Sequence, residues 1–212
     1  VPCVVGAVDR GGTGRPEPFD DIGERLRGER HRRGVSQREL ARRVGMSASL
    51  ISQIELGRSK PSVGTLYAIV SELGVSLDRL FHGHEDVDVG QGGMRAEGSG
   101  SVLVRPDERD VIELESGVRW ERLTSGDEGG VDFLFVVYDV GGASTTDGSM
   151  IRHPGREYGY VMSGRLGLQI GFTRHEVGAG DSVAFDSTQP HRLWNLGDVP
   201  VHGLWTVVGR AG

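Results

Sequence analysis

A single cysteine, Cys3, is all the thiol chemistry this 212-residue chain contains. One cysteine cannot close an internal disulfide or build a cysteine-rich zinc site, and the scarcity fits a reducing cytoplasm. No apolar run approaches the roughly 18 residues that a membrane span needs, and the N-terminal stretch lacks the apolar core of a signal peptide. The expectation is a cytoplasmic protein without a membrane partner. Glycine, by contrast, is plentiful: 35 residues, without collagen periodicity. That is too many for a helical bundle and predicts tight turns between short strands. The length suits one large domain or two small ones, each able to bury a core.

A formal charge of −6 argues weakly against a nucleic-acid partner, but the charge is unevenly spread. Residues 22–60 carry ten Lys or Arg against four carboxylates, a local +6 that leaves −12 for the rest of the chain. Such asymmetry points to a basic binding face on an otherwise acidic protein. Composition alone would equally fit a solvated helix surface.

Residues 1–18 carry Gly and Pro without periodicity and read as a disordered arm. Residues 19–83 show short apolar-periodic segments that start at serine and stop at glycine. The first helix spans about 20–33. The second opens at Ser36, where the S-Q-R-E order predicts a capping box with Glu39, and ends at Gly45. Ser47 opens a third helix that ends at Gly57, Ser62 a fourth that ends at Gly74, and Ser76 a short fifth. Residues 84–100 read as a flexible linker. From 101 to 212 the runs 131-VDFLFVVYDV-140, 158-YGYVMSG-164, 165-RLGLQIG-171, 181-DSVAF-185 and 199-VPVHGLWTVV-208 predict an all-β domain.

The SQxELA opening at Ser36, the 45-GMS-47 turn, 51-ISQIE-55, 57-GRSKPS-62 and the closing 74-GVSLDRL-80 follow one another in a known order. The segment resembles the Cro/repressor-like (xenobiotic-response-element) helix-turn-helix family. The resemblance implies a five-helix domain that binds double-stranded operator DNA. Leu40, Val44, Ile51, Ile54, Leu66, Ile69, Leu73, Val75 and Leu80 would fill its core. The exposed side of the third helix, Ala48, Ser49, Ser52 and Gln53, would meet base edges. Gln53 suits adenine, Ala48 a thymine methyl, and the serines are less discriminating. Gln37, Arg58 and Lys60 would meet phosphates and position the module without reading sequence. One module makes few base contacts, so a homodimer or higher homo-oligomer is expected, with the β domain as the dimerising part.

Residues 101–208 resemble the cupin superfamily, which implies a jelly-roll β-barrel. Gly180, His191 and Asn195 match its second motif, and His153, Glu157 and Gly164 its first. Ile151 stands where the family has a further metal-binding histidine; two residues from His153 on a strand, it would project inward beside it. Asp186 and Thr188 replace the usual proline and glycine. His153, Glu157 and His191 remain, a two-histidine, one-carboxylate set that could hold Fe, Mn, Ni or Zn, or could line a pocket without any metal. Tyr158, Tyr160, Trp194 and Trp205 lie near the pocket mouth, though strand aromatics are more often core. Arg152, Arg156, His175 and His202 read as surface residues.

Three functions fit these parts. The first is an operator-binding transcriptional regulator whose cupin domain dimerises and senses a small-molecule effector, with no catalytic residue. The second is a mononuclear non-haem iron oxygenase or epoxidase acting on a small phosphonate-like anion, because one epoxidase family joins the same two domains and uses the same His-x-x-x-Glu spacing. The third is a DNA-binding dimer with an inert cupin domain. The intact DNA-reading positions and the incomplete first motif favour the regulator.

Overall fold

Ser36, Ser47 and Ser62 each open a helix in the computed structural model, which describes residues 20–75, 77–81, 101–126 and 129–209. Each hydroxyl accepts the backbone N–H three residues on, from Glu39, Leu50 and Thr65, at 3.1–3.2 Å. The helices are α1 (Asp20–Arg32), α2 (Gln37–Val44), α3 (Ala48–Glu55) and α4 (Val63–Leu73). Gly45 and Gly74 close α2 and α4 in the left-handed conformation that glycine adopts without a Cβ penalty. The arm at 1–18, the linker at 84–100 and the Ser76 cap fall outside the described residues, as do His82 and His84.

Two local expectations need correction. The fifth helix is a single turn, Asp78–Phe81, so four full helices are described instead of five. One turn is too short to propagate, and burial of Leu77, Leu80 and Phe81 holds it in place. The box at Ser36 is only half formed. The Glu39 carboxylate does not return to the cap; Arg42 and Arg43, one turn on, bind it at 2.7–3.0 Å. The helical core is as expected, with Leu40, Ile51, Ile54, Leu66, Ile69, Leu73, Val75 and Leu80 buried and Val44 packed at its edge.

Among the described residues, nine strands follow a 3₁₀ turn at Pro106–Glu108: β1 (Val111–Leu114), β2 (Val118–Arg122), β3 (Val131–Tyr138), β4 (Arg156–Ser163), β5 (Arg165–Ile170), β6 (Thr173–Gly178), β7 (Ser182–Asp186), β8 (His191–Asn195) and β9 (Val201–Val208). All pairings are antiparallel, in a six-stranded sheet of order β1-β2-β3-β9-β4-β7 and a three-stranded sheet of order β6-β5-β8. The expected closed barrel is instead a cupin-like sandwich among the described residues. Among the described residues, the chain between β3 and β4 forms no ladder with β8 but meets it through isolated bridges, Ala143–Trp194 and Ile151–His191, and through single hydrogen bonds such as Ser144 N–H to the Leu193 carbonyl. Positive φ at Gly141, Gly148 and Gly155, together with Pro154, breaks that stretch before a ladder can form. No helix among the described residues is long and apolar enough to cross a membrane.

Asp186 and Thr188 turn the chain between β7 and β8 without the family's proline and glycine. Asp186 Oδ1 accepts both the backbone N–H (2.9 Å) and the hydroxyl (2.6 Å) of Thr188, so side-chain hydrogen bonds set the turn. Asn195 closes the other end of β8. Its amide lies 2.8–3.1 Å from the carbonyls of Tyr138, Asp139 and Val199, and its oxygen accepts from Gly197 N–H.

Candidate nucleic-acid interface and metal centre

Ser49 and Gln53 are exposed on one side of α3, and Ala48 and Ser52 are half-buried beside them. Ile51, Ile54 and Glu55 occupy the opposite, buried side. Arg58 is exposed in the turn that follows, its backbone N–H donating to the Gln53 carbonyl at 2.8 Å. Neither β sheet covers this face: the helical part meets the β part through the start of α4 and the loop before it. There, Glu115 N–H donates to the Pro61 carbonyl and Gly64 N–H to the Ser144 carbonyl, both at 3.0 Å.

The other two expected phosphate contacts have partners within the chain. Lys60 Nζ lies 2.6 Å from Glu113 Oε2 on β1. Gln37 donates its amide to Glu55 Oε2 at 2.7 Å. Glu55 is the centre of a buried network that counting charges did not reveal. Arg30 Nε and Nη2 grip its two oxygens at 2.5 and 2.8 Å, while Arg30 Nη1 reaches the Val35 carbonyl. Burial opposes ionisation of Glu55, but the bonds from Arg30 and Gln37 outweigh it and hold the carboxyl pKa below its ordinary value. This network ties α1 and α2 to the end of α3 and so sets the angle at which α3 is presented. Much of the basic excess is consumed in the same way: Arg32 and Arg33 bind Glu29, and Arg43 also binds Glu72.

His153, Glu157 and His191 come together, all three buried, with ligand atoms within 4.8 Å of one another. Glu157 projects inward from β4 and His191 from the start of β8. His153 is in a loop, not on a strand as its spacing suggested. That loop is tied to the β7–β8 turn by His153 N–H to the Ser187 carbonyl (3.1 Å) and by the Ser187 hydroxyl to the Gly155 carbonyl (2.6 Å). Ile151 is buried and lines the cavity beside Glu157 and His191, on the inward side expected of it.

The triad has the chemistry of a cation site. His191 Nδ1 is 2.9 Å from the Gln189 carbonyl and His153 Nδ1 is 3.3 Å from the Pro154 carbonyl, so each imidazole spends its N–H on backbone. Both Nε2 atoms then face Glu157 Oε1 with lone pairs, at 2.8 and 3.1 Å, and none of the three atoms makes a well-directed hydrogen bond. Three electron-rich atoms converging in a buried site call for a positive charge between them, and two imidazoles plus a carboxylate are a donor set that divalent metals accept.

Further residues support the triad. Trp205 Nε1–H donates to Glu157 Oε2 at 2.6 Å. It reaches there because its cross-strand partner is Gly159, where a Cβ would lie 2.2–2.6 Å from three atoms of the indole. The third neighbour comes from the helical part: the Tyr67 ring on α4 stacks on His153 at 3.9 Å and 13°, and sits 5.5 Å from Trp120. A glycine interrupting the apolar positions of β4 was a legible sign of the first feature. Nothing in the sequence signalled the second, since Tyr67 sits at an ordinary core position of α4. Tyr158 and Tyr160 point away from the pocket, about 46% and 45% exposed.

An exposed helix after a tight turn, joined to a sandwich with a His/Glu/His set inside, is the architecture of a helix-turn-helix transcriptional regulator with a cupin domain. Residues 26–80 match the helix-turn-helix family and residues 134–207 the cupin domain family. The chain is 31% identical to the HTH-type transcriptional regulator PuuR of Escherichia coli (strain K12) over 174 residues, 82% of this chain and 86% of that one. It thus belongs to the HTH-type transcriptional regulators that carry a cupin domain, and it is a DNA-binding regulator. A solved HTH_3 family transcriptional regulator from Vibrio cholerae shares the fold, with a TM-score of 0.63 at 22% identity, over 90% of this chain and 96% of that one. The hydroxypropylphosphonic acid epoxidase from S. wedmorenis aligns over 90% of this chain and 97% of that one, but at 19% identity and a TM-score of 0.41.

Proposed function

We propose that residues 19–83 form an operator-reading head, and that residues 101–212 form a sensor and dimerisation domain whose pocket contains the His153, Glu157 and His191 set. The observation that carries this reading is the division of labour within the head. Ser49 and Gln53 face solvent on α3, while the helical part meets the sandwich elsewhere, at Pro61, Gly64 and Tyr67. In such a module Gln53 reads an adenine and Ala48, Ser49 and Ser52 complete the base contacts, with Arg58 and Lys60 on phosphates. Gln37 serves the same interface by fixing Glu55. Selection of operator sequences from a random pool tests the assignment. Gln53→Ala is expected to relax preference at one position per half-site at a cost of about 1–3 kcal/mol. Unchanged selectivity would show that α3 does not read bases.

A second copy of the chain is the natural partner for the outer face of the six-stranded sheet. Phe133, Thr206 and Tyr158 align across β3, β9 and β4, and Phe135, Leu204 and Tyr160 form the next row. That places a contiguous apolar and aromatic patch on a half-exposed face. In the pocket, His153, Glu157 and His191 would hold a divalent metal such as Fe, Mn, Ni or Zn, which would supply open coordination positions for a small effector. Elemental analysis of the purified protein and cobalt titration test this. Oxygen consumption on a small phosphonate would revive the epoxidase reading.

A further inference from the structure

The cavity that contains Glu157 and His191 has walls from both halves of the chain. Trp120, Leu134, Leu193 and Trp205 line it from the sandwich, and Val63 and Tyr67 from α4. Its free volume is only about 20 Å³, room for a water molecule or an ion. Pockets that take organic ligands run to roughly 300 Å³ or more. An effector of any size must therefore enlarge the cavity. The sandwich walls sit on hydrogen-bonded strands, whereas α4 is held there by side-chain packing of Val63 and Tyr67, by the Gly64 and Glu115 backbone bonds and by charge pairs such as Lys60–Glu113 and Arg25 with Asp110. The wall that can yield is α4.

We infer that the DNA-binding head is the gate of its own sensor pocket: Tyr67 covers His153, and ligands reach the triad only when α4 lifts off the sandwich. The inference deepens the sensor reading and rests on it. It makes effector binding and head release one event, which is how a ligand too small to touch the DNA-reading face can bias that face. Gly64 marks the seat of the gate. A Cβ there would lie 2.7 Å from Ile151 Cγ2 and 3.0 Å from Thr145 Cγ2, so a larger residue wedges the head away from the sandwich.

The test uses the full chain, freed of metal by a chelator, with diethyl pyrocarbonate as the probe and peptide mass spectrometry as the readout. His153 and His191 are buried and His175 is exposed, so in the wild type the first two should react far more slowly than the third. Gly64→Val should speed their modification by about tenfold or more, as the open fraction rises, and leave His175 unchanged. Glu113→Lys, on an exposed strand position opposite Lys60, should do the same in milder form without touching the core. Equal reactivity of all three histidines in the folded wild type would overturn the gate. So would an unchanged rate at His153 and His191 in both folded variants. Binding of the wild type to duplex DNA, measured in parallel, is a separate readout: its absence would remove the regulator reading while the histidine rates still decide the gate.

Discussion

Replacing Gly159 with alanine should damage the pocket from a position that contacts no ligand. The added methyl would stand 2.2, 2.4 and 2.6 Å from three ring atoms of Trp205, where carbon atoms rest at roughly 3.5–4.0 Å. The indole must retreat by more than about 1 Å, and its 2.6 Å bond to Glu157 then passes beyond hydrogen-bond reach. Overpacking costs about 1–3 kcal/mol, and losing a hydrogen bond to a buried charge about 1.5–3 kcal/mol. The variant should therefore melt about 10 °C or more below the wild type and bind cobalt about 10–100-fold more weakly, the usual effect of losing a residue that orients a ligand. Trp205→Phe removes the N–H without the clash, so it should show the weaker cobalt binding with a smaller fall in Tm. Because Gly159→Ala has already broken that bond, the double variant should bind cobalt no worse than Gly159→Ala alone. If the two losses add, Trp205 does not orient Glu157 and the reasoning fails.

Arg30→Met leaves Glu55 buried without its main partner and should destabilise the head by about 3–5 kcal/mol in thermal or urea denaturation. The Glu55 carboxyl lies below its ordinary value of 4.5 in the folded chain. Its contribution is thus complete above that value and is lost as pH falls through the folded pKa, because the unfolded chain takes up the proton first. Glu55→Gln should flatten the loss of stability below pH 4.5, and an unaltered slope would show that other carboxylates carry it. Arg58→Ala should weaken binding to all duplexes alike and reduce the slope of log affinity against log salt by about one; a loss confined to one operator would assign Arg58 to base reading.

Helix limits were legible to within about two residues because serine caps and glycine stops are local chemistry, as Ser62 and Gly74 of α4 show. Strands were legible where apolar runs mark them, as in β3 and β9. The strand β6, TRHEVG, has only Val177 buried and is otherwise polar on both sides, so it offers no period to read. His153, Glu157 and His191 were found by spacing, since two short motifs fix the registers of β4 and β8. Their supports were not. Tyr67 meets His153 only because two halves of the chain dock, and Arg30 finds Glu55 only because three helices fold together. Sequence counts charges and rings; which of them pair is decided by tertiary packing.

Lys60 has two partners that exclude each other. Docked, it lies 2.6 Å from Glu113; in the proposed DNA complex it meets a phosphate. Both ends of the docked pair are exposed, so that pair is worth at most about 1 kcal/mol, whereas a phosphate contact also releases a condensed counterion. DNA should therefore win the lysine and, in doing so, remove one of the bonds that seat α4 over His153. Glu113→Gln tests this competition from the side of the sandwich. It frees Lys60 from a carboxylate and changes nothing on α3, so affinity for every duplex should rise by up to about fivefold, the equivalent of that 1 kcal/mol, and His153 should react faster with diethyl pyrocarbonate. A variant that binds DNA no better than the wild type at low salt would mean that Lys60 serves the sensor domain alone, leaving Arg58 as the phosphate contact of that loop.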